Sequence, residues 1–341
     1  MTIKNKNGRM TVAAIIITVT IVGIFQTSLV TAKKDPQADD HEFIFVGGLQ
    51  RSGTTKLTQI IASLDEKHIS ELGDVIPEKN FINVKLWESL KKEGKFIQKV
   101  LPVAEPPTGV QCVNKANQKK YHKTESMYSR ENAAQLWAQF SVAWDLEKPI
   151  LIEKTPENML MLRALRTLFP HRKAHFVIII RHPAITASAQ QKWVRYQSVE
   201  ATLLNWFSCY SIFESDLAVL SSVYIVYYEH LAHWPAQTMA ALIARIQSNS
   251  LRPQLYEHSL FKSKSLSPRS IFSPKPSSLY TLNWRNPPTH FDSAFSHFGY
   301  SSSNFSLPVG LDCTSSPSFC SFLVLPDLPF VKQAFSGYPS Q

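Results

Sequence analysis

Residues 43–64 read FIFVGGLQRSGTTKLTQIIASL. A short apolar run is followed by a glycine-bearing loop and then by Leu57, Ile60, Ile61 and Leu64 at the spacing of one helical stripe, which predicts strand, loop and helix in that order. From Gly48 to Thr55 the loop has the glycine spacing and terminal hydroxyl of a Walker loop, with Thr54 where that loop carries its lysine. Unpaired N–H groups of such a loop, and the dipole of the helix behind it, favour an anion. Arg51 can supply the missing cation, because its planar fork suits a tetrahedral oxyanion. Thr55 is then available to donate to phosphate oxygens rather than to hold a metal. Taken alone, the loop also fits a strand–turn–helix with no ligand, so the rest of the chain decides.

Downstream, strands and helices alternate. Pro149 to Ile152 is a short apolar strand, and Thr155-Pro156-Glu157 is a helix start, with a hydroxyl cap, a proline and an acid in the first turn. That helix runs through Leu160, Ala164, Leu165 and Leu168 and stops at Phe169-Pro170. Ala174 to Ile180 is a continuous apolar strand, as expected when helices cover both faces. Arg181-His182-Pro183 turns into a further helix, followed by a helix from Val199 to Leu220, a strand from Tyr224 to Tyr227 and a helix from Ala236 to Ile246. The alternation predicts an α/β fold with a doubly wound parallel sheet flanked by helices. Ligands of such sheets bind at the carboxyl ends of strands, and Arg51, Lys154, Arg181 and Glu229 all follow strands directly.

Between loop and alternation the pattern is weaker. Residues 65–79 read as a polar turn region holding His68, Glu71 and Asp74 near the mouth of the cleft. Phe81, Val84, Leu86, Trp87 and Leu90 suggest one amphipathic helix. Ser129 is placed to cap another, whose stripe of Ala133, Leu136, Trp137, Phe140 and Trp144 reads as core.

The ends differ from the middle. Lys4, Lys6 and Arg9 precede an uncharged apolar run, which predicts a cytoplasmic tail at 1–10, a signal-anchor transmembrane helix at 11–31 and a charged linker at 32–42. Cleavage after Val30-Thr31-Ala32, giving a secreted protein, is the alternative, and both put the remainder in the secretory lumen. The main domain is expected over 43–247. Residues 248–341 turn Ser/Pro-rich and aperiodic, consistent with a disordered tail or a non-native translation. There Cys313 and Cys320 could pair, Asn304 opens a glycosylation sequon, and Cys112 and Cys209 fit a core. A formal charge of +10 calls for acidic partners such as a nucleotide, an anionic glycan, an acidic peptide or a membrane surface. The four cysteines show no zinc spacing.

Three segments in this order, GLQRSGTT at 48–55, EKTPEN at 153–158 and IIIRHPAITAS at 178–188, resemble the sulfotransferases that use 3′-phosphoadenosine 5′-phosphosulfate, and the tyrosine-glutamate segment at 227–231 is similar to a strand end of the same superfamily. The style is closest to the membrane-anchored Golgi enzymes that act on glycans or protein tyrosines. The resemblance implies that Arg51, Ser52, Gly53, Thr54 and Thr55 hold the 5′-phosphosulfate, that Lys154 lies by the transferred group, and that Arg181 grips the 3′-phosphate. The family serine that joins this arginine falls at Ala189, one residue beyond Ser188, so Ser188 or Thr186 would take its place. The implied general base is Glu71, with His68 as runner-up. Implied too are a Golgi type II membrane setting, a glycan or tyrosine-containing protein acceptor, no metal and no nucleic acid. A kinase-like phosphotransferase and a non-catalytic nucleotide- or glycan-binding protein remain as alternatives.

Overall fold

The structure is a computed structural model, which describes residues 41–75, 93–102, 110–114, 118, 121, 129–169, 174–191, 198–250, 291–301, 308, 310, 311, 313 and 317–335. The expected anchor at 11–31, the amphipathic stretch at 81–90 and the sequon at Asn304 lie outside these residues. Among the described residues no helix is long and apolar enough to cross a membrane.

The first strand, β1 (Glu42–Gly47), is buried throughout and alternates two kinds of side chain. Phe43 and Phe45 point to one face, where their rings meet Phe169 at 4.7 and 5.0 Å. Ile44 and Val46 point to the other, against Leu57, Ile60 and Ile61 of α1 (Thr54–Leu64). Period-two alternation thus lets one strand anchor two separate cores. β3 (Ile150–Lys154) and β4 (Ala174–Ile180) flank β1, both parallel to it. β2 (Ile69–Glu71) lies outside β3, and β5 (Val223–Tyr227) outside β4. With β6 (Leu323–Val324) the sheet has six strands in the order β2-β3-β1-β4-β5-β6.

Helices cover both faces, as the unbroken apolar strands require. α1, α6 (Tyr228–His233) and α7 (Pro235–Asn249) take one face, where Leu231, Met239, Leu242, Ile243 and Ile246 meet Tyr224 and Val226. The other carries α2 (Arg130–Ser141), α3 (Leu162–Leu168), α4 (Pro183–Gln190) and α5 (Val199–Leu217). Ser129 caps α2 by accepting from Asn132 N, and Leu136 and Phe140 of the expected stripe are buried.

Some elements depart from the sequence expectations. The polar stretch after α1 contains β2, formed because Ser70 and its neighbours find partners on β3 rather than in water. The helix expected from Thr155 is a 3₁₀ segment (Pro156–Leu160) followed by α3, and Thr155 does not cap it. Its hydroxyl instead donates to Glu153 and accepts from Lys95 N at 3.1 Å. Within 248–341, α8 (Asp292–His297), α9 (Pro317–Phe322), β6 and α10 (Pro329–Ala334) form, and Phe295, Phe298, Tyr300 and Phe319 join the core. Cys112 and Cys209 are not free core thiols but a disulfide, as are Cys313 and Cys320.

Candidate active site

β1 sits between β3 and β4, so connections diverge to opposite sides at its carboxyl end, where an open α/β sheet forms its binding crevice. The loop leaving β1 fills that position. Gly47 packs so closely on the 3₁₀ segment that a Cβ there would lie 2.7 Å from Met159 N. Gly53, at φ 107°, precedes α1, and a Cβ on it would meet the Tyr228 ring at 2.6 Å, so only glycine fits. Arg51 itself adopts φ 73°, a left-handed conformation that costs a non-glycine residue of order 1 kcal/mol and is kept where surroundings enforce it.

Those surroundings are specific. Arg181 Nη1 donates to Arg51 O at 3.0 Å, and Gln190 Nε2 donates to Gln50 O at 2.8 Å. Gly48 N donates to Pro156 O at 3.1 Å, and Asn158 Nδ2 donates to Val46 O at 3.1 Å. The carbonyls of Gln50 and Arg51 are thereby tied to α4 and its preceding turn, while the 3₁₀ segment after β3 ties Val46 and Gly48 at the loop's start. Ser52 is fully buried in the loop, and its Oγ has no hydrogen-bond partner among the described residues. A buried hydroxyl of this kind suits an anion's oxygens, since leaving it unpaired costs about 1–3 kcal/mol.

Arg181 follows β4 and is braced from two sides. Its guanidinium lies 4.3 Å over the Tyr228 ring. Behind it, Glu229 accepts from His182 N at 2.9 Å and from Tyr300 Oη at 3.0 Å. Burial pushes the Glu229 carboxyl above its ordinary range, against these donors and Arg181. Glu229 is therefore a bracket behind the arginine rather than a group lining the crevice. His182 Nδ1 accepts from Ala184 N while its Nε2 lies 2.9 Å from Ser301 O, an arrangement that puts the ring proton on Nε2. On α4, Thr186 is buried and donates to Arg181 O at 3.3 Å, whereas Ser188 is half-buried.

Lys154 ends β3 in register with Val46, beside the start of the loop. Its side chain is 1% exposed, and Nζ donates to Glu93 Oε1 at 2.8 Å. Burial drives its pKa down, with Glu93 opposing that shift. Glu71 pairs with Ile152, two residues short of Lys154, and its N–H donates to Asp74 Oδ2 at 2.9 Å. His68 Nδ1 stands 2.7 Å from Asp65 Oδ2, on the exposed side of the turn. The loop, Arg181 and Lys154 thus share one strand edge, and Glu71 ends the side strand. His68 instead precedes β2 at its amino end, where its carbonyl accepts from Ile150 N at 3.0 Å, and so does not join the cleft mouth. Sequence reasoning passed over Glu93 and Lys95, which carry no motif and reach the site only through pairing with β3. Among the described residues no cluster of His, Cys, Asp or Glu is arranged to hold a metal.

An open parallel α/β sheet with a glycine-bearing loop at its switch point places the protein in the doubly wound α/β class. The profile of the sulfotransferase family matches residues 43–249, more than half of the chain, and the protein belongs to that family. Similar solved structures include the sulfotransferase domain from the curacin biosynthetic pathway, 16% identical, covering 76% of this chain and 98% of its own, with a TM-score of 0.40. Sulfotransferase STF1 from Mycobacterium tuberculosis H37Rv is 17% identical over 73% of this chain and 80% of its own, with a TM-score of 0.36. Mouse sulfotransferase SULT7A1 complexed with PAP is 14% identical over 75% and 84%, with a TM-score of 0.34. No curated protein sequence matches the chain.

Proposed function

We propose that this family member takes its sulfuryl group from 3′-phosphoadenosine 5′-phosphosulfate and delivers it to a hydroxyl of a glycan or a protein tyrosine. The observation that carries this is the locking of Arg181 onto the loop at Arg51 O, which sets a guanidinium beside a loop whose Ser52 hydroxyl has no partner among the described residues. A donor with a 5′-phosphosulfate and a separate 3′-phosphate needs two anion sites, and the loop and Arg181 supply two. Thr54 in the lysine's place weighs against an ATP-dependent phosphotransferase.

In this scheme Arg51, Ser52, Gly53, Thr54 and Thr55 hold the 5′-phosphosulfate and stabilise the charge that grows on the leaving phosphate. Arg181 holds the 3′-phosphate, with Ser188 as its hydroxyl partner, since Thr186 is engaged with the backbone. Lys154 offers its ammonium to the sulfuryl oxygens. The acceptor oxygen forms a bond to sulfur as the sulfur–oxygen bond to the donor's phosphate breaks, and the acceptor proton passes to Glu71. Two disulfides support a lumenal, oxidising setting, in keeping with a Golgi type II protein anchored through 11–31.

Calorimetric titration of the lumenal segment with adenosine 3′,5′-bisphosphate and with ADP, both without magnesium, tests this. Preference for the bisphosphate is expected, together with its loss in Arg181→Ala. Equal affinity for ADP would remove the donor assignment.

A further inference from the structure

The segment Glu93–Phe96 carries no motif, yet it is built into the end of β3. Glu93 forms a parallel bridge with Lys154, Gly94 N donates to Glu153 Oε1 at 3.0 Å, and Lys95 N donates to Thr155 Oγ1 at 3.1 Å. Residues paired in parallel register turn their side chains to the same face, so the Glu93 carboxylate meets the Lys154 ammonium at 2.8 Å. Lys95 Nζ closes the cluster, 3.0 Å from Glu93 Oε2 and 3.0 Å from Glu157 Oε1.

An ammonium 1% exposed stays charged only where a partner offsets its lost hydration. The charged groups facing Lys154 are Glu93, Glu153 and Lys95, with Glu157 acting through Lys95. Burial lowers the Lys154 pKa first, Glu93 opposes it most, Glu153 adds less, and Lys95 pushes it further down. An ammonium has three N–H donors, so one bond to Glu93 leaves two for other oxygens.

We propose that Glu93 is a positioning residue for the transfer site, holding Lys154 protonated and oriented so that its two remaining N–H groups face the sulfuryl oxygens. This rests on the assignment of Lys154 to the transferred group made above. Glu93 need not touch donor or acceptor, and it acts through the lysine alone.

The test is an NMR titration of the full chain labelled with lysine carrying carbon-13 at Cε, with the Lys154 signal assigned by its disappearance in Lys154→Arg. Glu93→Gln is expected to lower the Lys154 midpoint by at least about one pH unit, a tenfold change in protonated fraction at a given pH, while Glu93→Asp stays within about half a unit. The alkaline limb of donor turnover should move with the midpoint in Glu93→Gln, and should vanish in Glu93→Gln combined with Lys154→Arg, whose guanidinium does not titrate. Should Glu93→Gln melt below the assay temperature, Lys95→Gln carries the test with opposite sign, because removing the like charge raises the Lys154 midpoint. A chain that binds adenosine 3′,5′-bisphosphate but whose Lys154 midpoint is unmoved in folded Glu93→Gln overturns the role of Glu93 alone. A wild-type chain that fails to bind the bisphosphate overturns the donor assignment and this role with it.

Discussion

Arg181 donates from Nη1 to the carbonyl oxygen of Arg51 at 3.0 Å, joining the end of β4 to the loop that follows β1. Because the guanidinium also stacks on Tyr228 at 4.3 Å, its position is fixed before any anion arrives, which spares ordering cost on binding. Replacing it by alanine should weaken adenosine 3′,5′-bisphosphate by about 10- to 100-fold, the worth of a charge-assisted bond of roughly 1.5–3 kcal/mol. Arg181→Lys should recover little of this, since an ammonium neither stacks as a plane nor reaches two oxygens at once. Calorimetry on the two variants decides between charge and geometry.

Tyr300 ties the last third of the chain to the same arginine. Its Oη donates to Glu229 Oε2 at 3.0 Å, while Glu229 holds His182 N. Tyr300→Phe keeps the ring packed and removes the donor, leaving a buried carboxylate oxygen unpaired at a cost of about 1–3 kcal/mol. Burial raises the Glu229 pKa, and loss of the donor raises it further, so the penalty should be smaller in acid, where the carboxyl binds its proton, and should grow with pH. Urea denaturation of wild type and variant at pH 5 and pH 8 measures the difference. An equal penalty at both would mean that Tyr300 contributes packing only.

The uneven legibility of this chain has physical causes. Residues 176–180 and 43–46 are buried on both faces, so they read as unbroken apolar runs, and the loop between β1 and α1 has a fixed glycine spacing. β2 was hidden because only three residues pair, and their partner strand lies some 80 residues downstream. Thr155 looked like a cap because Pro156 and Glu157 follow it, but Glu153 and Lys95 compete for its hydroxyl. Glu93 was invisible because its role depends on a long-range bridge to Lys154. The Ser/Pro-rich composition after residue 248 concealed β6, whose value lies in a single pairing with β5 rather than in periodicity.

Glu153 gives the fold a pH dependence near neutrality. It is fully enclosed, and burial pushes its pKa up to about 7 even though Thr155, Asn158 and Gly94 donate to it and Lys154 stands adjacent. Its folded pKa lies above its unfolded value of about 4.3, so the folded state binds the proton more tightly. The stability it contributes is therefore full below about pH 4.3 and is lost as pH rises to about 7. Wild type should lose stability between pH 5 and pH 7.5 relative to Glu153→Gln, whose amide does not titrate. At pH 5 the two proteins should differ little, because the protonated carboxyl, like the amide, presents a donor beside a carbonyl oxygen to the same neighbours. Parallel curves for the two proteins over this range would refute the assignment.

The two disulfides differ in what they close, and their removal should separate accordingly. Cys112–Cys209 spans 97 positions and pins the chain to α5, where Asn205 also clamps it by donating to Val110 O at 2.8 Å and accepting from Cys112 N at 2.6 Å. Cys313–Cys320 spans only 7. If the bridges act by limiting the unfolded chain, loop-closure entropy assigns the long one about 4–5 kcal/mol and the short one about 2 kcal/mol. The paired serine variants Cys112→Ser with Cys209→Ser should thus lower the denaturation midpoint far more than Cys313→Ser with Cys320→Ser. The Asn205 clamp should soften the first loss, because its two hydrogen bonds hold the segment near α5 without the covalent link. Adding Asn205→Ala to the long-bridge variant should then cost more than Asn205→Ala in the wild type. Equal losses for the two bridges would instead point to native-state contacts, not chain entropy, as the source of their stability.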